Sequence, residues 1–324
     1  MKDGLGVLVM AYGTPADRDE IEPYYTHIRH GRPPTKELLD QLKGRYEAIG
    51  GCSPLNRITR EEARLLEEEL NRRNLGNSLR RGDPEPGHGG CRVYVGMKHC
   101  SPFIADVVGE MASEGIARCV GIVLAPHYSS MSVAVYIREA MEAAALHGLA
   151  EPSFVRQWHL QDPFLDALEE RLRATLGRYS EGEKERLKIV FSAHSLPLRI
   201  VAQGDPYPEQ LLETSRALAA RIGWEDWQFG WQSAGRTAEP WLGPDILQVL
   251  DDLGAQGYRA VLSCPIGFVS DHLEVLYDLD IEAAGQAGRL GMHFERTTSL
   301  NTDHRLIEAL ASAVEEALRG DALS

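Results

Sequence analysis

Short apolar runs alternate with amphipathic helical patterns along most of this chain. The segments between the runs repeat apolar residues at helical spacing, and strands that alternate with helices are typical of parallel α/β folds. Four runs fall in each half, so the pattern predicts two similar domains, each with a four-stranded parallel sheet flanked by helices. The predicted strands lie near residues 6–11, 92–97, 118–124, 153–158, 187–193, 227–232, 258–264 and 292–296.

The division of the predicted strands between two halves also predicts the domain limits. We expect a first domain over 1–150 and a second over 151–302, with the last helix, 303–324, packing on the first domain. The segment 72–90 holds seven glycines and prolines and four arginines without periodicity, which predicts a surface loop. Within the first domain, Thr59 and Glu62 have the spacing of a capping box, and Ser101 before Pro102 predicts a second helix start.

Composition narrows the class of protein. The chain has 324 residues, 43% of them apolar, and its 34 basic and 48 acidic residues give a net charge of −14, which argues against a nucleic-acid partner. The five cysteines are scattered without a CxxC pair, so we expect reduced thiols rather than disulfides or a structural metal site. No apolar run is long enough to span a membrane and no signal peptide is recognisable, which predicts a cytoplasmic protein.

Polar side chains follow several predicted strands at their carboxyl ends. These positions are where ligands bind in doubly wound sheets. The sequence has neither a GxGxxG motif after the first strand nor a P-loop, so neither dinucleotide binding nor P-loop chemistry is indicated. The candidate residues are Tyr12, His127, His194, Asp271 and His272.

An acidic series in the segment 271–282 is the strongest metal-binding candidate. Glu274, Asp278 and Glu282 are four residues apart, so on a helix they lie along one face. With His194 opposite Glu274, one imidazole and one carboxylate suit a first-row transition metal and leave most coordination positions open for transfer. A solvated acidic face is the alternative interpretation.

The amino-terminal segment is rich in aromatic and basic residues. Guanidinium groups pair with carboxylates while aromatic rings cover flat faces, so such a set suits a flat apolar ligand that carries carboxylates. An ordinary helix surface that happens to contain tyrosines is the alternative. The main residues are Tyr12, Tyr24, Tyr25, His27, Arg29, Arg45 and Tyr46.

Taken together and in order, the motifs of this chain resemble those of the ferrochelatase family. Within it, the chain is similar to the short, soluble type of Gram-positive bacteria that acts on coproporphyrin III. The resemblance runs from about residue 5 to the end, apart from 72–90. The motifs are VMAYGTP, YYTHIRHGR, RYEAIGGCSPL, LAPHYS, SAHSLP, GDPYPEQL, GWQSAG, PWLGPD and PIGFVSDHLEVLYD.

The resemblance implies an enzyme. It implies two Rossmann-like chelatase-fold domains around a porphyrin cleft, and a lyase that inserts ferrous iron into coproporphyrin III to give Fe-coproporphyrin III (coprohaem) in haem biosynthesis. The alternatives are insertion into protoporphyrin IX to give protohaem, a cobalt or nickel chelatase of the same superfamily, and a porphyrin or metal carrier without turnover.

The resemblance also implies roles for individual residues. His30 stands where close relatives commonly have a second arginine, which departs from the family pattern, and His99 falls on a motif position that lines the cleft region. The implied catalytic residues are His194 and Glu274. The implied metal contacts are His194, Glu274, Asp278 and Glu282. The implied substrate contacts are Tyr12, Arg29, Arg45, Tyr46, Ser53 and Tyr136.

Cofactors and partners follow from the same resemblance. Ferrous iron is expected as a substrate, with no permanently bound cofactor. No iron–sulfur cluster is expected, because the chain stops after its last helix without the cysteine-bearing extension of some relatives. We expect a monomer without nucleic-acid or membrane partners, and a coprohaem decarboxylase is the candidate downstream partner.

Overall fold

A computed structural model describes residues 4–75, 90–235 and 237–320 of the chain. All eight predicted strands are present, so the alternation of strands and helices is confirmed, although the fourth strand is shorter than predicted. The strands are β1 (Leu5–Ala11), β2 (Cys91–Met97), β3 (Arg118–Val123), β4 (Ser153–Val155), β5 (Leu187–His194), β6 (Trp227–Gln232), β7 (Ala260–Cys264) and β8 (His293–Arg296).

The helices connect the strands along the chain. Their bounds are α1 (Ile21–Ile28), α2 (Lys36–Ala48), α3 (Leu55–Arg72), α4 (Ile104–Ser113), α5 (Val133–His147), α6 (Asp162–Leu176), α7 (Glu181–Lys184), α8 (Arg199–Ala202), α9 (Tyr207–Ile222), α10 (Ile246–Ala255), α11 (Leu273–Leu276), α12 (Ala284–Arg289) and α13 (His304–Arg319), with a π-helical segment at Asp278–Ala283.

The strands form two four-stranded sheets with the same internal order. The first sheet runs β2-β1-β3-β4 and the second β6-β5-β7-β8, and every neighbouring pair is parallel. In each sheet the order reverses beside the first strand, between β1 and β3 and between β5 and β7. The fold is therefore two Rossmann-like α/β sheets, as the sequence predicts.

The first compact unit comprises Met1–Gln161 and Asn301–Ser324. Every residue of β1 is buried, as expected for a parallel strand covered on both faces. This unit extends past the predicted limit at residue 150 because β4 pairs with β3. The last helix, α13, packs on α3, where Arg73 Nη1 lies 3.5 Å from Glu315 Oε2 and 3.1 Å from Ser312 Oγ.

The second compact unit is Asp162–Leu300. Leu262 and Val190 are fully buried in its central strands, and α10, the π-helical segment and α12 pack over the face that carries Val190. α6 and α9 pack against each other. Because helices cover the faces of the second sheet, polar groups can lie at the carboxyl ends of its strands.

Two predicted helix starts are wrong. Thr59 lies inside α3, which begins at Leu55, so it does not cap the helix; its side chain is buried because this face packs on the sheet. Ser101 and Pro102 precede α4, whose first residue is Ile104. The predicted loop at 72–90 falls largely outside the described residues. No helix in the described part of the chain is both long and apolar enough to cross a membrane.

Candidate active site

The second sheet places a histidine and a glutamate at the point where its strand order reverses. His194 is the last residue of β5, and Glu274 lies in α11, which follows the neighbouring strand β7. In doubly wound sheets this reversal opens a crevice beyond the carboxyl ends of the strands. The position predicted for a ligand site therefore holds the two residues predicted to carry the chemistry.

Glu274 faces two imidazole rings. Its Oε1 lies 3.6 Å from His194 Nε2, and its Oε2 lies 3.8 Å from His272 Nε2. About a third of the His194 and Glu274 side chains is solvent-accessible. The structure thus brings the predicted pair together and adds His272, which the sequence placed at a strand end without assigning it a role.

A backbone contact fixes the tautomer of His194. Its Nδ1 makes a hydrogen bond with the carbonyl oxygen of Ser195, and a carbonyl can only accept, so Nδ1 carries the proton. Nε2 then holds the free lone pair of the neutral ring, on the side that faces Glu274. His194 can therefore bind a cation or accept a proton through Nε2.

Charge and burial oppose each other at this pair. Burial disfavours the charged form of His194, but the negative charge of nearby Glu274 outweighs burial and raises the pKa of the imidazole. Burial likewise opposes ionisation of Glu274, yet His194 and His272 together hold the pKa of its carboxyl far below its usual range. Glu274 is a carboxylate at neutral pH, and His194 is a competent proton acceptor.

Neighbouring groups hold the pair by its backbone. The Tyr207 hydroxyl donates to the carbonyl of His194 at 3.0 Å, and Gln232 Nε2 donates to the carbonyl of Glu274 at 3.0 Å. Gln232 is fixed in turn by Ser192 Oγ, 2.9 Å from its Oε1. The sequence contains Gln232 within the GWQSAG motif, but no local pattern showed that its amide reaches Glu274.

The acidic residues after Glu274 lie on an irregular helix. Within the π-helical segment Asp278–Ala283, the carbonyl of Tyr277 accepts from both Ile281 N at 3.2 Å and Glu282 N at 3.0 Å. The three carboxylates therefore lie on a helical stretch, as predicted, that changes from α to π type between Glu274 and Asp278. The three carboxylates are spaced four residues apart. This spacing is longer than one α-helical turn of about 3.6 residues but shorter than the wider π turn, so the change of helix type alters their relative directions. A common face for the three stays a prediction.

Of the four predicted metal contacts, His194 and Glu274 form a close pair. Asp278 is buried and accepts a hydrogen bond from Ser233 Oγ. Among residues 4–75, 90–235 and 237–320, no group of three His, Cys, Asp or Glu side chains is arranged to hold a metal ion. The close contacts of this site join Glu274 with His194 and His272, and metal contacts by Asp278 and Glu282 stay predictions.

In the first unit, Tyr12 stands just beyond the carboxyl end of β1 and is 42% exposed. Its ring lies 4.4 Å from that of His99, whose Nδ1 is 3.0 Å from Nδ1 of His27. Gly13 follows with a φ of +82°, and a Cβ there would meet Cys100 Sγ at 2.5 Å, so the turn after Tyr12 requires glycine.

The other predicted substrate contacts differ in exposure. Arg29, Arg45 and Ser53 are partly exposed, and Arg29 lies over the Tyr25 ring at 5.7 Å. Tyr46 and Tyr136 are buried. The Tyr46 hydroxyl is bonded to Thr14 Oγ1 at 3.0 Å, and Lys98 Nζ lies 4.9 Å from the centre of the Tyr136 ring. Substrate contact by these residues stays a prediction.

Comparison with known families identifies the family of this chain. The family model described as ferrochelatase matches residues 4–318. The chain belongs to the ferrochelatase family. This ferrochelatase-family chain is 44% identical to the coproporphyrin III ferrochelatase of Anoxybacillus flavithermus, over 98% of each chain, and 46% identical to that of Geobacillus kaustophilus, over 97% of this chain and 96% of the relative.

Solved structures support the fold of this ferrochelatase-family chain. SirB from Bacillus subtilis with Fe3+ superposes with a TM-score of 0.60 at 11% identity, covering 99% of both chains. The sirohydrochlorin chelatase SirB from Bacillus subtilis subspecies spizizenii, in complex with cobalt, gives a TM-score of 0.58 at 10% identity over 99% of this chain and 97% of the other. At such low identity these likenesses concern the fold alone.

Proposed function

We propose that this chain is a lyase that inserts ferrous iron into coproporphyrin III and releases coprohaem, a step of haem biosynthesis. The observation that carries the proposal is the His194–Glu274 pair, 3.6 Å apart at the carboxyl edge of the second sheet, in a chain of the ferrochelatase family. The curated relatives from Anoxybacillus flavithermus and Geobacillus kaustophilus, which bear coproporphyrin III in their names, support this porphyrin.

The proposed mechanism divides the work between the two side chains. Two pyrrole N–H protons must leave the porphyrin as iron enters, so the site needs proton acceptors as well as a cation ligand. Glu274, held as a carboxylate, attracts the ferrous ion, and His194 Nε2 takes up one pyrrole proton, releases it to solvent through its exposed part, and then takes up the second. His194 can bind the cation only while its ring is neutral, so metal binding and proton transfer alternate at Nε2.

The number of carboxylates separates the two candidate porphyrins. Coproporphyrin III carries propionates where protoporphyrin IX has two vinyl groups, and guanidinium groups pair with carboxylates in a bidentate manner. Arg29 and Arg45, both partly exposed, are the proposed propionate partners. Insertion into protoporphyrin IX, which keeps two propionates, is the alternative.

Anaerobic metalation tests the proposal. The purified protein is incubated with ferrous iron and, separately, with each porphyrin, and the loss of porphyrin fluorescence is followed. We expect catalytic loss with coproporphyrin III at least about tenfold faster than with protoporphyrin IX, a difference of about 1.4 kcal/mol. The reverse preference would overturn the substrate assignment. Tight binding of either porphyrin without metalation would contradict the proposed enzymatic activity and would favour a porphyrin carrier.

We further propose that iron is a substrate and that no resident cofactor or iron–sulfur cluster takes part. Cys91, Cys119 and Cys264 are buried and serve as small core residues.

We also propose that the protein is a monomer, which sedimentation analysis would check. Ferrous iron and free thiols both suit a reducing compartment, so the proposed location is the cytoplasm. Coprohaem keeps two propionates that protohaem lacks, so a coprohaem decarboxylase is the proposed next enzyme.

A further inference from the structure

The segment that carries Glu274 depends on contacts from outside itself. It begins with Asp271 in the loop after β7 and ends in the π-helical segment Asp278–Ala283, with a change of helix type at Tyr277. A π turn is rare and frequently lies at a functional site. The position of Glu274, which lies within this segment, depends on the contacts that fix the segment to the sheet.

Arg296, the last residue of β8, contacts this segment at two points. Its Nε lies 2.6 Å from Asp280 Oδ1 and its Nη2 lies 2.8 Å from Asp280 Oδ2, which is a bidentate pair. The same Nη2 lies 3.5 Å from Asp271 Oδ1. Asp280 belongs to the π-helical segment, and Asp271 stands three residues before Glu274, so one guanidinium joins the parts of the chain on either side of Glu274.

The guanidinium is itself fixed. Arg296 Nη1 donates to the carbonyl of Thr297 at 2.9 Å and lies 3.3 Å from Ser299 Oγ, and Ser299 Oγ donates to Asp271 Oδ1 at 2.7 Å. The Arg296 side chain is 12% exposed. The Asp280 side chain is 38% exposed, so the buried guanidinium is the fixed partner of this bidentate pair, and its further bonds give the pair a more defined geometry than a mobile surface ion pair has.

We propose that Arg296 is a positioning residue for metal insertion: its fork to Asp280 and its contact with Asp271 hold Glu274 in place opposite His194 Nε2. The inference rests on the proposed function, because metal insertion is the activity it serves. Arg296 itself is 12% exposed and contacts carboxylates outside the His194–Glu274 pair, so it acts through the backbone of the segment. Lysine could hold one carboxylate but lacks the fork that reaches both.

The test separates metal handling from porphyrin binding in the full-length protein. In Arg296→Gln, we expect the KM for ferrous iron at saturating coproporphyrin III to rise about tenfold, as when outer-shell partners of a metal ligand are removed. The dissociation constant of coproporphyrin III, measured by fluorescence quenching, should stay unchanged. Arg296→Lys should give a KM between those of Arg296→Gln and the wild type.

A matched control lies in the same unit. Arg221 pairs with Asp162 at 2.6 Å, with Asp166 and with Glu169 at 3.7 Å, and all three carboxylates belong to α6, outside the segment 271–282. Arg221→Gln should leave both constants at their wild-type values. Asp280→Asn keeps the shape of its side chain and should raise the KM for iron as Arg296→Gln does, so it decides the question if Arg296→Gln does not fold.

Three results would overturn the inference. The first is a wild-type KM for iron in Arg296→Gln, or in Asp280→Asn if the first variant does not fold. The second is a lower melting temperature without a change in that KM, which would give Arg296 a structural role only. The third is an equal rise in Arg221→Gln. Failure of the wild-type protein to metalate either porphyrin is a separate outcome, and it would overturn the proposed function itself.

Discussion

At the scale of single residues, one backbone carbonyl decides how His194 can react. The Ser195 carbonyl accepts from Nδ1, which leaves Nε2 as the basic nitrogen beside Glu274. The residue types alone left open which of the two side chains accepts a proton and which binds the cation. The fixed tautomer of His194 favours it as the proton acceptor. The lowered pKa of Glu274 keeps this side chain negatively charged, which favours it as the group that attracts the cation.

Replacing His194 tests that division. His194→Ala should lower the rate of metalation by at least about a hundredfold, the lower end of what a positioned acid–base group contributes, while porphyrin binding measured by fluorescence quenching is retained. His304→Ala, a change at an exposed histidine in the first unit, is the control and should retain the wild-type rate. A near-normal rate in His194→Ala would contradict the assignment.

His99 provides a prediction on pH. Burial, together with the charges of Lys98, His27 and His30, lowers the pKa of His99 to about 3. Its unfolded value is about 6.5, so between these pH values the unfolded state binds one more proton than the folded state. The free energy of unfolding should therefore fall as the pH falls below about 6.5, by up to about 2 kcal/mol at about pH 5.

Urea unfolding of the wild type and of His99→Gln at a series of pH values checks this prediction. The glutamine variant has no proton to gain at this position, so its free energy of unfolding should depend less steeply on pH between about 6.5 and 5. Equal pH dependence in the two proteins would show that His99 is not held neutral in the folded state.

At the scale of elements, the site depends on how closely the chain after β7 passes the end of β5. A Cβ on Gly267 would lie 2.4 Å from Ala193 Cβ and 3.0 Å from Ala193 Cα, next to His194. Neither atom belongs to a flexible side-chain end, so the backbone would have to move. The close approach of residue 267 to the end of β5, which carries His194, therefore requires glycine at 267.

Gly267→Ala should destabilise the protein by about 1–3 kcal/mol and lower the metalation rate, because the displaced strand end carries His194. Urea unfolding and the fluorescence assay measure the two effects. Gly288→Ala is the matched control: it lies in α12 with nothing within 4 Å of the added Cβ, so it should be neutral or stabilise the helix by up to about 1 kcal/mol. Equal stability of the two variants would refute the close-packing argument.

At the scale of the whole molecule, the last helix completes a unit that begins at the other end of the chain. α13 returns to the first unit and buries one face there, with Leu310 fully buried. Its two caps are local: Asp303 accepts from Arg305 N at 2.9 Å, and Gly320 follows the last helical residue. The helix is thus defined locally, while its packing is a long-range contact.

Leu310→Ala should lower the free energy of unfolding by about 2–5 kcal/mol, the range for truncating a buried leucine. Leu146→Ala, at a leucine that is 79% exposed, is the control and should change it by less than about 0.5 kcal/mol. Urea unfolding followed by circular dichroism measures both. A loss in Leu310→Ala no larger than in the control would mean that α13 does not stabilise the first unit.

The sequence by itself determined the strands, the parallel class and the chemistry of the strand ends. Apolar runs and their periodicity are local properties, so β2 and β5 could be predicted within a residue of their bounds. His194 could be singled out because a polar residue directly after a buried parallel strand lies at the edge where ligands bind.

Only the tertiary structure decided which groups complete the site. Gln232 reaches Glu274 across 42 residues of sequence, and Arg296 reaches Asp280 across 16. It also decided that Thr59 lies within a helix and that Tyr46 is buried. Such contacts join residues that are far apart in the chain and have no common period, so no local pattern encodes them. They exist because packing the helices on each sheet brings these side chains together.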